Sequence, residues 1–430
     1  MIKLLIIADD LTGAIDSGVH FATKGIKTKV FPDSSYYLPL DQLDKSVEVI
    51  VINTESRHIS AREAAERVSR ATRTGLKAGV NIIYKKTDST LRGNIGAELE
   101  ALMEVTEKDK IPFIPAYPAL KRFTRNGYHY VGEELLHRTR FAEDPLEPIL
   151  SSYIPEILEQ QTKCSLSLVS LPYDKHRISF INNLKEILVF NCSTERDLAD
   201  IGNFLTEKNL LSLVAGSAGF APILAKKISF SIGKKERIRM SGSCLFVNGS
   251  LNPVTLEQVR FLEESSIEHV YLQPDLLNSV EGNSGYLLNL ARDLKTKKQK
   301  GRDILVNSIT SREDLHLYLQ HKYGAFIPKE VHADAARRFG QFIAGILTEE
   351  NFGILVAVGG DTLISLIREL QIEIILPITE IFPGVVLSKI MVLDQSMYLI
   401  TKPGGYGERD ILLRIFQYIK SKNNDRNNFR

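Results

Sequence analysis

The most constraining feature of this chain is an alternation between two kinds of segment. Short, β-branched apolar runs (KLLIIA, TKVF, VEVIVIN, VNIIYKK) alternate with amphipathic patterns such as GAIDSGVHFATKG and SAREAAERVSRATRTGLKAG. The apolar runs have no polar face, so each must be covered on both sides. The helical patterns supply that cover, each closing near a glycine, Gly25 and Gly79. Apolar strands joined through helices predict an α/β fold with mainly parallel sheets.

The pattern returns in ILVFN and LLSLVAGSAGFAPILA, then in CLFVNGS, HVYLQ, DILVNS and GILVAVGG. Between these groups, residues 227–243 (KISFSIGKKERIRMSGS) are basic and aperiodic. A chain of 430 residues is long for one core. The expectation is therefore two α/β domains, residues 1–235 and 243–420, with a cleft between them. Such a cleft suits a two-substrate enzyme.

Charge narrows the partners. Lys and Arg total 54 against 52 for Asp and Glu, so no bulk field exists for nucleic acid or a membrane surface. Any anion site must be local. No stretch approaches the roughly 20 apolar residues of a membrane span. The first apolar run, Leu4 to Ala8, is too short for a signal peptide and ends in acids. A soluble, cytoplasmic protein is expected, with a frayed polar tail at residues 420–430. Cys164, Cys192 and Cys244 fit no metal-ligand spacing and suggest a reduced compartment, with Cys244 a small core residue.

The strand ends carry the chemistry. The first apolar run meets two carboxylates, Asp9 and Asp10, and ligands gather at the carboxyl ends of parallel strands. One acid could instead cap the helix expected near Gly13, a role for which Thr12 competes. Side chains alternate along a strand, so in extended geometry the two acids cannot share one pocket. That predicts a division of labour, with Asp10 as catalytic base and Asp9 as an orienting acid.

A second strand runs into KKTDSTLRG, which packs Lys85, Lys86, Thr87, Asp88, Ser89 and Arg92 into one loop. Cations and hydroxyls together suit a small polyhydroxy anion. Lys86 and Arg92 are the candidate charge stabilisers. A third strand ends in NTESR, where Arg57 offers a planar fork. Later, GILVAVGGDT places Gly359, Gly360, Asp361 and Thr362 between a strand and a helix. Glycines allow close backbone approach, and a helix start offers free N–H groups to phosphate. NGSLNP, with Gly249 and Ser250, and KPGGYG, with Gly404, Gly405, Tyr406 and Gly407, repeat the arrangement. Three such turns are expected to converge on one polyphosphate. Neither a Walker lysine nor GxGxxG is present, which argues against a P-loop and a nicotinamide dehydrogenase. Residues 115–149 read as a long functional loop, with His129 and His137 as packing or surface residues.

Taken together, ADDLTGAIDSG, KKTDSTLRGNIG, PAYP…RFTRNGYHYV, AGSAGFA, NGSLNPVTLEQ, VGGDT and KPGGYG resemble the four-carbon acid sugar kinase family, across nearly the whole chain. The resemblance implies an N-terminal sugar-acid domain and a C-terminal nucleotide domain. It implies that Asp9, Asp10, Arg57 and Lys85 to Ser89 hold the sugar acid. Ser250, Gly359 to Thr362 and Gly404 to Gly407 would hold ATP, with Mg²⁺ offsetting charge. The implied reaction phosphorylates the terminal hydroxyl of D-threonate, D-erythronate or 3-oxo-tetronate to the 4-phosphate.

Three departures from the family pattern leave the acid open: Lys121 to Thr124 where a GRT-like run is common, Glu133 where Gly is frequent, and Pro403, which has no N–H. The Mg²⁺ ligands are not legible, because phosphates and water supply most of them. Assembly, as a monomer or a homodimer, is also open. A sensor that binds both ligands without transfer is the alternative reading.

Overall fold

The computed structural model describes residues 1–34, 40–143, 148–172, 184–272, 284–308, 329–350 and 352–424. The end of the tail, Gln273 of HVYLQ and residues 144–147 of the long loop lie outside the described residues. The chain divides into two compact units, Met1–Lys235 and Glu236–Arg430.

The first unit runs β1 (Leu4–Ala8), α1 (Leu11–Ala22), β2 (Thr28–Phe31), β3 (Val49–Asn53), α2 (Ala61–Lys77), β4 (Ile82–Lys86), α3 (Ile95–Thr106) and β5 (Lys110–Ile114). Short strands β6 (Arg122–Arg125), β7 (Tyr128–Val131) and β8 (Glu134–Leu135) follow, then α4 (Ile154–Glu159). The unit closes with β9 (Ser165–Val169), β10 (Glu186–Phe190), α5 (Glu195–Glu207), β11 (Leu213–Gly216) and α6 (Ala221–Lys227). Eight strands form one sheet in the order β2-β3-β1-β4-β11-β5-β10-β9. Every pairing in it is parallel. All residues of β1 and β3 are buried, as two-sided cover requires. Gly79 closes α2 at φ 80°, with Val80 N–H donating to Gly75 C=O and Gly79 N–H to Leu76 C=O, the paired bonds of a Schellman cap.

The topology locates a crevice. From β1 the chain moves outward to β2, returns to β3, and then crosses to β4 on the other side of β1. The chain leaves the sheet in opposite senses at such a switch point, so the segments that follow the adjacent carboxyl ends of β1 and β4 diverge. The register aligns Ala8 with both Asn53 and Lys86, so residues 9, 54 and 87 leave the sheet at one level.

Two sequence expectations are corrected. Helix α1 starts at Leu11 rather than near Gly13, with Asp10 as its N-cap accepting Gly13 N–H at 3.2 Å. Residues 115–149 are not a plain loop, because β6, β7 and β8 form a separate antiparallel sheet. Its strands of four, four and two residues are too short to show a period. Asn126 and Gly127, at φ 50° and 79°, make the two-residue turn between β6 and β7. Asn-Gly is the usual sequence of such a hairpin, and it is the signal that could have revealed this sheet.

The second unit contains β12 (Cys244–Asn248), α7 (Pro253–Leu262), β13 (Glu268–Tyr271), α8 (Ser284–Gln299), β14 (Ile304–Asn307), a helix at Lys329–Glu349 and β15 (Ile354–Val358). A helix at Gly360–Glu369, β16 (Leu376–Phe382), β17 (Val385–Val392), β18 (Gln395–Lys402) and a helix at Ile411–Asn424 complete it. The sheet order is β13-β14-β12-β15-β18-β17-β16, parallel up to β18 and antiparallel beyond. The chain leaves β12 in one direction and returns to β15 on its other side, so this sheet also has a switch point. Cys244 is fully buried in its core among Phe246, Val356 and Ile400. Among the described residues, no helix is long and apolar enough to cross a membrane.

Candidate active site

At the switch point of the first unit, Arg57 gathers three carboxylates. Its Nε lies 2.8 Å from Asp9, its Nη2 2.7 Å from Asp10, and Asp88 is 3.8 Å away. Asp9 and Asp10 therefore meet at one guanidinium, against the expectation from strand alternation. The physical reason is local: β1 ends at Ala8 and residues 9 and 10 form a bend, where the two-residue period no longer applies. Lys86 completes the cluster at 3.7 Å from Asp9 and 3.8 Å from Asp10.

The electrostatics follow from burial and pairing. Burial alone would raise the Asp9 carboxyl, but Arg57, Lys86 and Lys85 outweigh it and hold it at about 2. Asp88 is buried too, yet Arg92, Arg57 and Thr90 keep it well below the usual carboxylate range. Arg57, despite its burial, is held well above its ordinary value by Asp10, Asp9 and Asp88. Asp10 also accepts the Thr12 hydroxyl, so it combines helix capping with the Arg57 contact.

The KKTDSTLRG residues divide by face. Lys86 turns to the acids, whereas Lys85 is fully buried and pairs with Glu98 of α3 at 3.1 Å. Glu98 itself is pushed up by burial, and it accepts the Ser56 hydroxyl. Thr87 Oγ1 is buried without a hydrogen-bond partner among the described residues. Ser89 accepts a hydrogen bond from Arg122 of β6, and Arg92 Nε binds Asp88 at 2.7 Å. Arg122 and Glu98 were not selected from the sequence as site residues. Arg122 lies on the unforeseen hairpin, and Glu98 looks like any acid in a helix. His129 proves to be a packing residue, buried against Ser89 C=O at 2.9 Å and pushed down by that burial to about 4.

Helix α1 lies close to this cluster because of Gly13, where a side chain would collide with Asp10 Oδ1 and Lys86 Nζ. One turn further along the helix is Asp16. Its Oδ1 is shielded from solvent and has no hydrogen-bond partner among the described residues. Burial raises its carboxyl to about 6, against the pull of Lys86 and Arg122 and with a push from Asp10. Asp16 stands inside ADDLTGAIDSG, yet nothing in the local pattern distinguishes it from an ordinary helical acid.

In the second unit the three glycine turns do converge. The register pairs Asn248 with Val358 and Val358 with Lys402, so all three turns leave the sheet side by side. A methyl group on Gly404 would sit 2.7 Å from Ser250 Oγ, and one on Gly359 3.4 Å from Ser250 Cβ. Gly359, at φ 101°, starts the helix that carries Asp361 and Thr362 in its first turn. Gly405 N–H donates to Thr255 at 2.8 Å, and Gln258 braces Tyr406, Gly407 and Glu408 through their carbonyls. The Tyr406 ring lies against Gly384. Lys402, not selected from the sequence, is buried at the foot of the last turn and donates to Pro403 C=O at 2.9 Å. Burial lowers its ammonium to about 7. Among the described residues no group of three or more His, Cys, Asp or Glu is arranged to hold a metal ion.

Comparison with known proteins is decisive at the family level. The family model for a sugar-binding N-terminal domain matches residues 4–224, and that for a nucleotide-binding C-terminal domain matches residues 245–412. A D-threonate kinase of Salmonella typhimurium is 28% identical over 428 residues, covering 97% of this chain and 98% of the relative. A D-erythronate kinase of Heliobacterium modesticaldum is 32% identical over 278 residues, covering 62% and 61%. A crystal structure from Haemophilus influenzae shares the fold, with a TM-score of 0.73 at 23% identity over 97% of this chain and 100% of that one. The chain belongs to the four-carbon acid sugar kinase family, and it carries both the sugar-binding and the nucleotide-binding domain.

Proposed function

We propose that this chain is an ATP-dependent kinase that phosphorylates the terminal hydroxyl of a four-carbon sugar acid, giving the 4-phosphate. D-threonate, D-erythronate and 3-oxo-tetronate are the candidate acceptors, because relatives bearing all three names match almost the whole chain or most of it. The observation that carries the reading is the Asp9–Arg57–Asp10–Lys86 cluster at the switch point of a sugar-binding domain. A polyhydroxy acid needs acceptors for its hydroxyls and a cation for its carboxylate, and both are held there ready-made.

Arg57 is engaged on three acids, so we assign it the task of fixing them rather than gripping the substrate carboxylate. Asp9, Asp10 and Asp88 accept substrate hydroxyls, and Lys86 with Thr87 and Ser89 faces the carboxylate. Lys85 supports the loop through Glu98. Arg92 keeps Asp88 ionised. Ser250, the Gly359 to Thr362 turn and the Gly404 to Gly407 turn surround the triphosphate, with the N–H groups at the helix start that follows Gly359 as donors. The close approach of Gly404 to Ser250 leaves a cradle that a Cβ would fill, which fits phosphate. Mg²⁺, entering with the nucleotide, supplies neutralisation of the transferring group.

The test is ADP release from ATP and Mg²⁺ against a panel of four-carbon acids, with the product's phosphate position read by NMR. One acid giving a 4-phosphate is expected. Thermal stabilisation by a four-carbon acid with no ADP release from any of them would leave a binding protein and refute the kinase reading.

A further inference from the structure

We propose that Asp16 is the catalytic base of this site, the group that accepts the proton of the attacking hydroxyl. The inference rests on the kinase reading above and adds a role for a residue that lies outside the cluster first identified. Asp9 is bound by Arg57 through Oδ2, its buried Oδ1 having Lys86 at 3.7 Å but no hydrogen bond; Asp10 is bound by Arg57, Thr12 and Gly13 N–H, Asp88 by Arg92, and Glu98 by Lys85 and Ser56. A carboxylate held in this way is a good hydrogen-bond acceptor for orientation and a poor acceptor for a proton, because its cation stabilises the ionised form.

Asp16 differs in position and in partners. It lies three residues beyond Gly13 on α1, hence on the same face of the helix. That face is the one against which Lys86 Nζ and Asp10 pack, since a side chain at Gly13 would strike both. Asp16 Oδ1 is withdrawn from solvent with no hydrogen bond among the described residues. A shielded, unsatisfied carboxylate oxygen is costly, and one beside a substrate pocket is the kind of group that a substrate hydroxyl satisfies. The charged groups that face it are Lys86 from β4, Asp10 from the β1–α1 bend and Arg122 from β6. Burial lifts its proton affinity to about 6, within reach of a base working near neutral pH.

The proposed step balances. The acceptor hydroxyl oxygen forms a bond to the γ-phosphorus of the nucleoside triphosphate as the bond from that phosphorus to the bridging oxygen breaks. The nucleoside diphosphate leaves with the electron pair, and the hydroxyl proton passes to Asp16. Asp9 and Asp10, fixed by Arg57, orient the acceptor, and Lys86 beside these acids supplies fixed positive charge that also acts on Asp16.

The experiment compares wild type with Asp16→Asn and Asp16→Glu, using ADP release for turnover and thermal shift for sugar-acid binding. Expected are a kcat loss of about 100-fold or more in Asp16→Asn with KM for the acid little changed, and partial recovery in Asp16→Glu. Wild-type kcat/KM should rise with pH through about 6, and that limb should vanish in Asp16→Asn. The limb is read on wild type alone, so the proposal stays exposed even if a variant fails to fold. Full turnover in Asp16→Asn, or a flat wild-type profile from pH 5 to 8, overturns the assignment while leaving the kinase reading intact. A wild type that turns over no four-carbon acid removes the kinase reading, and this proposal with it.

Discussion

The two units place their candidate sites alike and build them differently. Each site sits at a switch point of a parallel sheet, yet the first is made of buried charge and the second of backbone. In the first, Arg57, Lys86, Asp9, Asp10 and Asp88 compensate one another within a few ångströms. In the second, glycine turns approach so closely that a single methyl group would intrude, and the buried cation is Lys402. Stereochemistry explains the contrast. A sugar acid differs from its epimers only in the direction of hydroxyls, which fixed side chains can read. A triphosphate presents the same oxygens in every cell, and N–H groups at a helix start suffice.

The contrast can be broken most forcefully at Arg57. Arg57→Ala leaves the buried carboxylates of Asp9 and Asp88 and the partly buried one of Asp10 without their common cation, and breaking buried pairs costs about 3–5 kcal/mol. Denaturation should show a loss of that order together with loss of turnover, while nucleotide binding by any folded protein persists. Retained stability would mean that solvent enters the cluster and that the acids are not held by Arg57.

Asp16→Asn should move stability in the opposite direction. The folded carboxyl sits at about 6 against an ordinary 3.8, so the folded state keeps a proton between those values that the unfolded chain has lost. Stability thus falls as pH rises from about 4 through 6, and the penalty stands in full above 6. Removing the charge should stabilise the protein above pH 6 by at most about 3 kcal/mol, and by nothing below pH 4. Asp9 is the counterexample within the same site. Its carboxyl, held at about 2, contributes stability above pH 4 that is lost only as pH falls towards 2. Thermal melts across pH would separate the two.

Gly404→Ala tests the backbone site. The added methyl at 2.7 Å from Ser250 Oγ should weaken nucleotide binding roughly tenfold, about 1.4 kcal/mol, with sugar-acid binding unchanged. Equal losses for both ligands would contradict a division between the units. Smallest of all, Ser60→Ala removes the cap that accepts Glu63 N–H at 3.2 Å and touches none of the acids held by Arg57. It should cost about 1 kcal/mol of stability with kcat and both KM values unchanged, which calibrates the other variants.

The alternation of apolar strands and helices was enough to anticipate the parallel parts of both sheets, because such strands need cover on two faces. Strands β16 and β17, with their antiparallel pairing, were not read from it. The convergence of Ser250, Gly359 and Gly404 was legible for a related reason: parallel strands deliver their ends to one edge. Less legible was anything that depended on where a strand stops. Asp9 and Asp10 share Arg57 because β1 ends one residue before them. Lys85 and Lys86 read as one basic pair, yet both lie on β4 and so face opposite ways. Asp16 and Arg122 stayed hidden because each reaches the site through tertiary packing, one across a helix face and one from a hairpin too short to show a period.

That hairpin has an evolutionary implication. Strands β6 to β8 form a sheet of their own, joined to neighbours through isolated bridges at Thr124–Cys192 and Tyr128–Tyr153 and separate from the eight-stranded frame. It delivers Arg122 to Ser89 without supplying any of the acids. Selection can therefore alter this appendage without moving the acids of the frame, but any change at Arg122 reaches Ser89 and the charge around Asp16.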